Sequence, residues 1–188
     1  MIQRKRPARA AIYLLCAITL IRCGDAPKTP SVVTNNDFLI QTTDSTTGAE
    51  GYRNAGGELI IPLGKYRMCF SDTFRNLALV QLAAGAFTVI DRQENVAYEV
   101  FSYDNDPDYP AEGLFRIVVN GKMGYADEKT YAVVIQPQFD CAFPFENGVA
   151  KVSKNCTKEA DGEHSIWVSE HWQYIDKKGK EKNPPSAN

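Results

Sequence analysis

The chain has 188 residues, 21 Lys and Arg against 23 Asp and Glu, and a formal net charge of −2. That balance supplies no clustered basic footprint for nucleic acid, and the length allows one domain behind a processed N-terminus. Hydrophobic residues at 44% and charged residues at 23% are ordinary for a soluble globular body.

In chain order, Arg4, Lys5, Arg6 and Arg9 precede an apolar run from Ala10 to Ile21. The run is too short for an ordinary membrane-spanning helix, which needs about 20 apolar residues, and reads as an export signal over residues 1–22. Cys23 follows directly, with Leu20 three residues upstream, in the manner of a bacterial lipoprotein box. Arg22 stands where such a box has a small residue, so three outcomes are open: Cys23 carries a lipid anchor, the chain is exported without one, or the segment stays uncleaved as an anchor. Residues 23–50 are polar and read as a flexible tether, with Phe38-Leu39-Ile40 as an apolar exception that can open a first strand.

A short phrase then recurs four times: Gly51-Tyr52-Arg53-Asn54, Thr88-Val89-Ile90-Asp91, Gly124-Tyr125-Ala126-Asp127 and Gln173-Tyr174-Ile175-Asp176. Steps of 37, 36 and 49 residues separate the second positions (52 to 89, 89 to 125, 125 to 174). A period of roughly 20–50 residues marks a repeat architecture whose units bury apolar faces on one another. Around the third copy the strand pattern is explicit. Phe115, Ile117 and Val119 alternate with Arg116, Val118 and Asn120. Asn120-Gly121 is a tight hairpin turn signal, and the β-rich run Tyr131 to Ile135 is closed by Pro137. Phe143, Phe145, the turn Glu146-Asn147-Gly148 and the strand Val149 to Val152 follow.

Gly121 to Asp127, Val134 to Asp140 and Phe145 to Val152 together resemble one full unit of the WG repeat family. That unit runs Gly-Lys-Trp-Gly-Tyr-Ile-Asp, a Gly turn, Ile-Pro-Pro-x-Tyr-Asp, then Phe-x-x-Gly-x-Ala-x-Val. Met123 replaces the signature Trp and Gln136 the first Pro; the last copy keeps Trp172 but has Gln173 in place of Gly. The resemblance extends over residues 51–182, ahead of a frayed tail at 183–188, and implies an all-β architecture of tandem antiparallel β-hairpin or meander repeats. A solenoid-like or rolled sheet is expected in preference to a closed propeller, because four uneven units leave closure undetermined.

Candidate sites are few. Cys16 leaves with the signal; Cys69, Cys141 and Cys156 remain. Two arrangements fit: a Cys141–Cys156 disulfide across the Phe143 to Val152 segment, or three buried thiols. His164 and His171 are spaced from Cys156 like no standard zinc ladder, and read as surface residues. The acidic loop Asp104 to Glu112 has Tyr109 where a calcium loop needs Gly and Phe115 where it needs Glu. No metal, no cofactor and no catalytic set is expected. Tyr52, Tyr125 and Tyr174 recur at one phase and are structural. Tyr103, Tyr109 and Trp167 fall in insertions between phrases, and such loops often bind. The expectation is a noncatalytic repeat-built interaction module at the bacterial cell envelope, contacting another protein through loops 102–112 and 155–171. The alternative is a carbohydrate- or cell-wall-binding module that uses the same aromatics.

Overall fold

A computed structural model describes residues 38–162 and 164–185, all within the compact unit Val33–Asn188. The expected export segment, Arg22, Cys23, residues 24–37 of the expected tether and the last three residues lie outside the described residues.

Every described element is a strand, and every pairing is antiparallel. The first meander is β1 (Leu39–Thr43), β2 (Glu50–Asn54) and β3 (Leu59–Ile61), followed by the short β4 (Met68–Cys69) and β5 (Thr73–Phe74). The second is β6 (Leu77–Gln81), β7 (Phe87–Asp91) and β8 (Val96–Val100), followed by the ribbon β9 (Ser102–Tyr103) and β10 (Asp106–Pro107). The third is β11 (Leu114–Val119), β12 (Lys122–Asp127) and β13 (Val133–Phe139), followed by β14 (Cys141–Ala142). The fourth opens with β15 (Val149–Ser153), is interrupted by the hairpin β16 (Thr157–Asp161) and β17 (His164–Val168), and closes with β18 (Gln173–Asp176) and β19 (Glu181–Lys182). They form sheets ordered β3-β2-β1-β5, β13-β12-β11-β8-β7-β6-β4 and β14-β15-β18-β19, plus the two ribbons. No closed barrel forms among the described residues.

The recurring phrase is the middle strand of each meander. Its last residue caps the turn that follows. Asn54 Oδ1 accepts the Glu58 N–H, Asp91 Oδ1 those of Gln93 and Asn95, Asp127 Oδ1 those of Lys129 and Thr130, and Asp176 Oδ1 those of Lys178 and Lys180. A short carboxylate or amide that reaches its own backbone two to four residues on is how these side chains hold turns.

The phrase glycine answers a different need. A Cβ on Gly51 would stand 2.5 Å from the Ile61 carbonyl oxygen, and one on Gly124 would collide with the Ile135 carbonyl and stand 2.7 Å from the Pro137 nitrogen. The third strand crosses here through a register shift, between Tyr52 and Arg53 in the first meander and around Tyr125 in the third. Only a residue without a side chain admits that approach. The second meander has Thr88 at this position, paired with Glu99; it shares the register shift, between Val89 and Ile90, but lacks the Ile-x-Pro crossing that brings the third-strand backbone so close.

The middle strands also explain how the meanders assemble. Tyr52 and Ile90 share one buried cluster, Val89 and Ala126 a second, Tyr125 and Ile175 a third. The second phrase residue of one meander therefore meets the third phrase residue of the next. Val89 and Ile90, though adjacent, feed different clusters, so β7 is apolar on both faces. At the two ends the outward positions are Arg53 and Tyr174, both half-buried. Each fully buried aromatic or aliphatic side chain in this series contributes roughly 1.5–3 kcal/mol of transfer free energy.

Junctions repeat as well. At or just after the end of the third strand the chain pairs with the first strand of the next meander: Cys69 with Val80, Val100 with Ile117, Ala142 with Val152. A phenylalanine follows each time, and its N–H bonds the same relative carbonyl: Phe70 to Leu79 at 2.9 Å, Phe101 to Arg116 at 3.0 Å, Phe143 to Lys151 at 2.9 Å.

One expected boundary is corrected. The folded body starts at Leu39, inside the span read as tether to residue 50. Leu39 is buried and pairs with both Asn54 and Phe74. The polar run that looked like linker is a hairpin turn, in which Asp44 Oδ1 accepts the N–H groups of Thr46 and Thr47.

Candidate functional site

The second and third junctions build one side of a cleft of about 1020 Å³. Phe101 and Phe143, equivalent by the junction rule, are joined there by Trp167 from β17. The Trp167 ring centroid lies 5.6 Å from that of Phe101 and 5.3 Å from that of Phe143, both edge-to-face. Two flanking contacts of this geometry fix the indole plane in advance of any ligand.

A second wall is the loop 102–112. Asp104 and Asn105 both have positive φ, which closes β9 and β10 into a two-residue hairpin. Tyr103 sits at its edge, 62% exposed, and Tyr109 beyond it, 67% exposed. The Tyr109 hydroxyl donates to Asp106 Oδ2 at 3.2 Å, and this bond pushes its ionisation above the ordinary tyrosine range. Tyr103, Tyr109 and Trp167, taken from the sequence as insertion aromatics, all line this one cleft.

Below the aromatics is a buried ion pair. Arg116 donates from Nε to Asp108 Oδ2 at 3.0 Å and from Nη2 to Asp108 Oδ1, and Asp108 Oδ2 also accepts the Arg116 backbone N–H at 2.8 Å. Arg116 Nη1 donates to the Ala142 carbonyl at 3.2 Å, and the guanidinium lies 4.3 Å over the Phe101 ring. Asp108, the third carboxylate of the acidic loop, is thus spent on holding the loop to β11. Among the described residues, no three His, Cys, Asp or Glu side chains converge as a metal site would require.

The fourth-meander insertion is pinned from behind. Cys141 and Cys156 form a disulfide with their Cα atoms 6.0 Å apart, which ties the base of the β16–β17 hairpin to β14. Cys69 is free and buried, and burial above all pushes its thiol up to about 11. His164 and His171 are exposed. Trp172 lies outside the cleft lining, with Lys151 Nζ 4.3 Å over its ring.

Shifted carboxylates do not mark a reaction centre. Asp44, Asp91, Asp127 and Asp176 lie below the usual carboxylate range because turn hydrogen bonds favour their charged form. Glu112 is lowered by Lys177 and by the Gly148 N–H. Tyr52, Tyr98 and Tyr125 are raised, chiefly by burial.

Residues 123–155 match the family model described as WG containing repeat. The chain carries a WG containing repeat. The matched segment starts in β12 and ends after β15, so the WG repeat as a sequence unit spans the junction between the third and fourth meanders. It includes Phe143 of the cleft lining and the disulfide residue Cys141, and it stops at residue 155, before the β16–β17 hairpin. No curated protein and no solved structure matches the chain.

Phe101, Phe143 and Arg116 were not singled out in the sequence. Their signal was present: Cys69-Phe70-Ser71, Val100-Phe101-Ser102 and Ala142-Phe143-Pro144 are a second recurring phrase, offset from the first.

Proposed function

We propose that this protein is a noncatalytic binding module of the bacterial cell envelope, with the cleft between loop 102–112 and the β16–β17 hairpin as its ligand site. One observation carries the reading: two insertions far apart in sequence place Tyr103, Tyr109 and Trp167 on a single concavity. Repeat scaffolds spend their regular strands on mutual burial and bind through per-repeat insertions gathered on one face. Large exposed aromatics beside a cleft are the usual mark of recognition, since a monomer gains nothing by wetting them. The export segment with Cys23 supports the envelope placement, either lipid-anchored or free.

Photo-crosslinking in cells tests the site. The full chain carries a benzophenone amino acid either at Tyr109 or at Val96, which is also exposed but belongs to β8, outside the cleft lining. Adducts at 109 and not at 96 are the expected result. Equal labelling at both, or none at 109, contradicts the reading.

A further inference from the structure

We infer that the ligand of this cleft is a neutral oligosaccharide, an inference that rests on the binding reading above and specifies its chemistry. The charge inventory of the lining is the first argument. Asp108 is consumed by Arg116, and Asp140 is paired with Lys122 at 2.5 Å. Asp104 and Lys158 remain on the lining and cancel. A cleft whose charges neutralise one another offers no field to select an anionic or a cationic ligand.

The aromatic surfaces are the second argument. Tyr103 and Tyr109 are both mostly exposed, and Trp167 is held by edge-to-face contacts with Phe101 and Phe143. A pyranose ring has an apolar face of C–H bonds, whose hydrogens carry the partial positive charge that a ring's negative π face attracts. Its equatorial hydroxyls at the same time need donors and acceptors at the rim. Ser102, Asp104, Lys158 and Ser165 supply both kinds. The volume suits several sugar units rather than one, being at the upper end of ordinary ligand pockets of about 300–1,000 Å³.

An extended peptide is the competing ligand, and the walls serve it less well. Adding a strand requires an edge with several free backbone groups. β9 and β10 are two residues each. β16 is exposed along its whole length and carries Lys158, Glu159 and Asp161, the charged pattern that discourages edge pairing.

Calorimetry on the full chain with cellohexaose, chitohexaose and xylohexaose tests the inference, alongside selection of a displayed peptide library on the same protein. The expected result is saturable binding of at least one of these neutral hexasaccharides, with an affinity unchanged between low and high salt. It weakens by about tenfold or more in Tyr109→Ala and in Tyr103→Ala, and is retained in Tyr109→Phe. Both tyrosines are exposed, so the alanine variants keep the fold. If a peptide binds, loses affinity in Tyr109→Ala and no hexasaccharide binds, the glycan assignment falls while the cleft stands. If neither class binds, both the assignment and the binding reading fall.

Discussion

The Tyr125 hydroxyl donates to the Phe143 carbonyl at 2.6 Å, and Tyr52 makes a corresponding bond at 3.0 Å to the Ser71 carbonyl, one residue past the junction phenylalanine Phe70. Each tyrosine also meets a later phenylalanine edge-to-face, Phe145 at 4.8 Å and Phe74 at 5.4 Å. The phrase tyrosine is therefore a strut from the middle strand to the following junction. In the third meander that junction includes Phe143, so the strut supports the floor of the cleft.

Tyr125→Phe removes the donor of a part-buried bond whose acceptor, the carbonyl of the exposed Phe143, water can partly reach. Unfolding free energy is expected to fall by an amount at the low end of about 1–3 kcal/mol in chemical denaturation. Tyr174→Phe serves as control, since Tyr174 is half-buried at the outer face of the last meander and should change stability little.

Gly124→Ala is expected to cost about 1–3 kcal/mol or more, because the added methyl meets backbone rather than a movable side chain. A melting curve beside that of Gly85→Ala separates two kinds of glycine. Gly85 has φ +98 with open space around a Cβ, so its penalty is backbone strain alone.

Much of this was readable from the sequence, and the gaps have physical causes. The phrase, its period and the capping Asp follow from residue type alone, as does the Asn120-Gly121 turn, whose φ values are 51 and 74. Phe38-Leu39-Ile40 offers a first strand in the sequence, but the polar run after it reads as tether because a hairpin turn and a linker share a composition. Asp44-Ser45-Thr46-Thr47 repeats the turn Asp127-Glu128-Lys129-Thr130, in which the threonine hydroxyl bonds the aspartate at 2.9 Å and 2.8 Å respectively. Which phrase residue faces which neighbour was hidden because β7 and β12 are buried on both faces, so their sequence shows no alternation. The cleft needed three dimensions: no spacing rule places Trp167 beside Phe101.

Acid should loosen the turns. Asp44, Asp91, Asp127 and Asp176 titrate lower in the folded chain than their ordinary value of 3.8. A depressed folded value means that the stabilisation is fully present above the unfolded value and is lost as pH falls through the folded one. Melting temperature is thus expected to be insensitive to these groups above roughly pH 5 and to decline below about pH 4. Asp127→Asn keeps an acceptor and should flatten part of that decline, as Asn54 already does in the first meander.

The Cys141–Cys156 bridge closes a separation of 15 residues, worth about 3 kcal/mol in the chain-entropy description. Reduction should lower stability by that order and add two hydrogens to the intact mass. Cys69, its thiol pushed up to about 11 by burial, should resist alkylation in the native state and react once the chain is unfolded.

The buried Arg116–Asp108 pair tethers the ligand-facing loop. Arg116→Ala strands a buried carboxylate and is expected to cost about 3–5 kcal/mol, whereas the double change Arg116→Met with Asp108→Leu should cost much less. Denaturation of the two variants compared with wild type checks the difference, and Arg116→Ala should weaken ligand binding because it frees Asp108 and with it loop 102–112.

The two tryptophans permit the most direct test of the cleft as the binding site. With 5-fluorotryptophan incorporated into the full chain, Trp167 and Trp172 give separate fluorine NMR signals, one inside the cleft lining and one outside it. On addition of solubilised envelope glycans or proteins, the account predicts that the Trp167 signal shifts or broadens, that Trp172 moves less, and that Tyr109→Ala abolishes the response. A silent Trp167, or a response confined to Trp172, would contradict it.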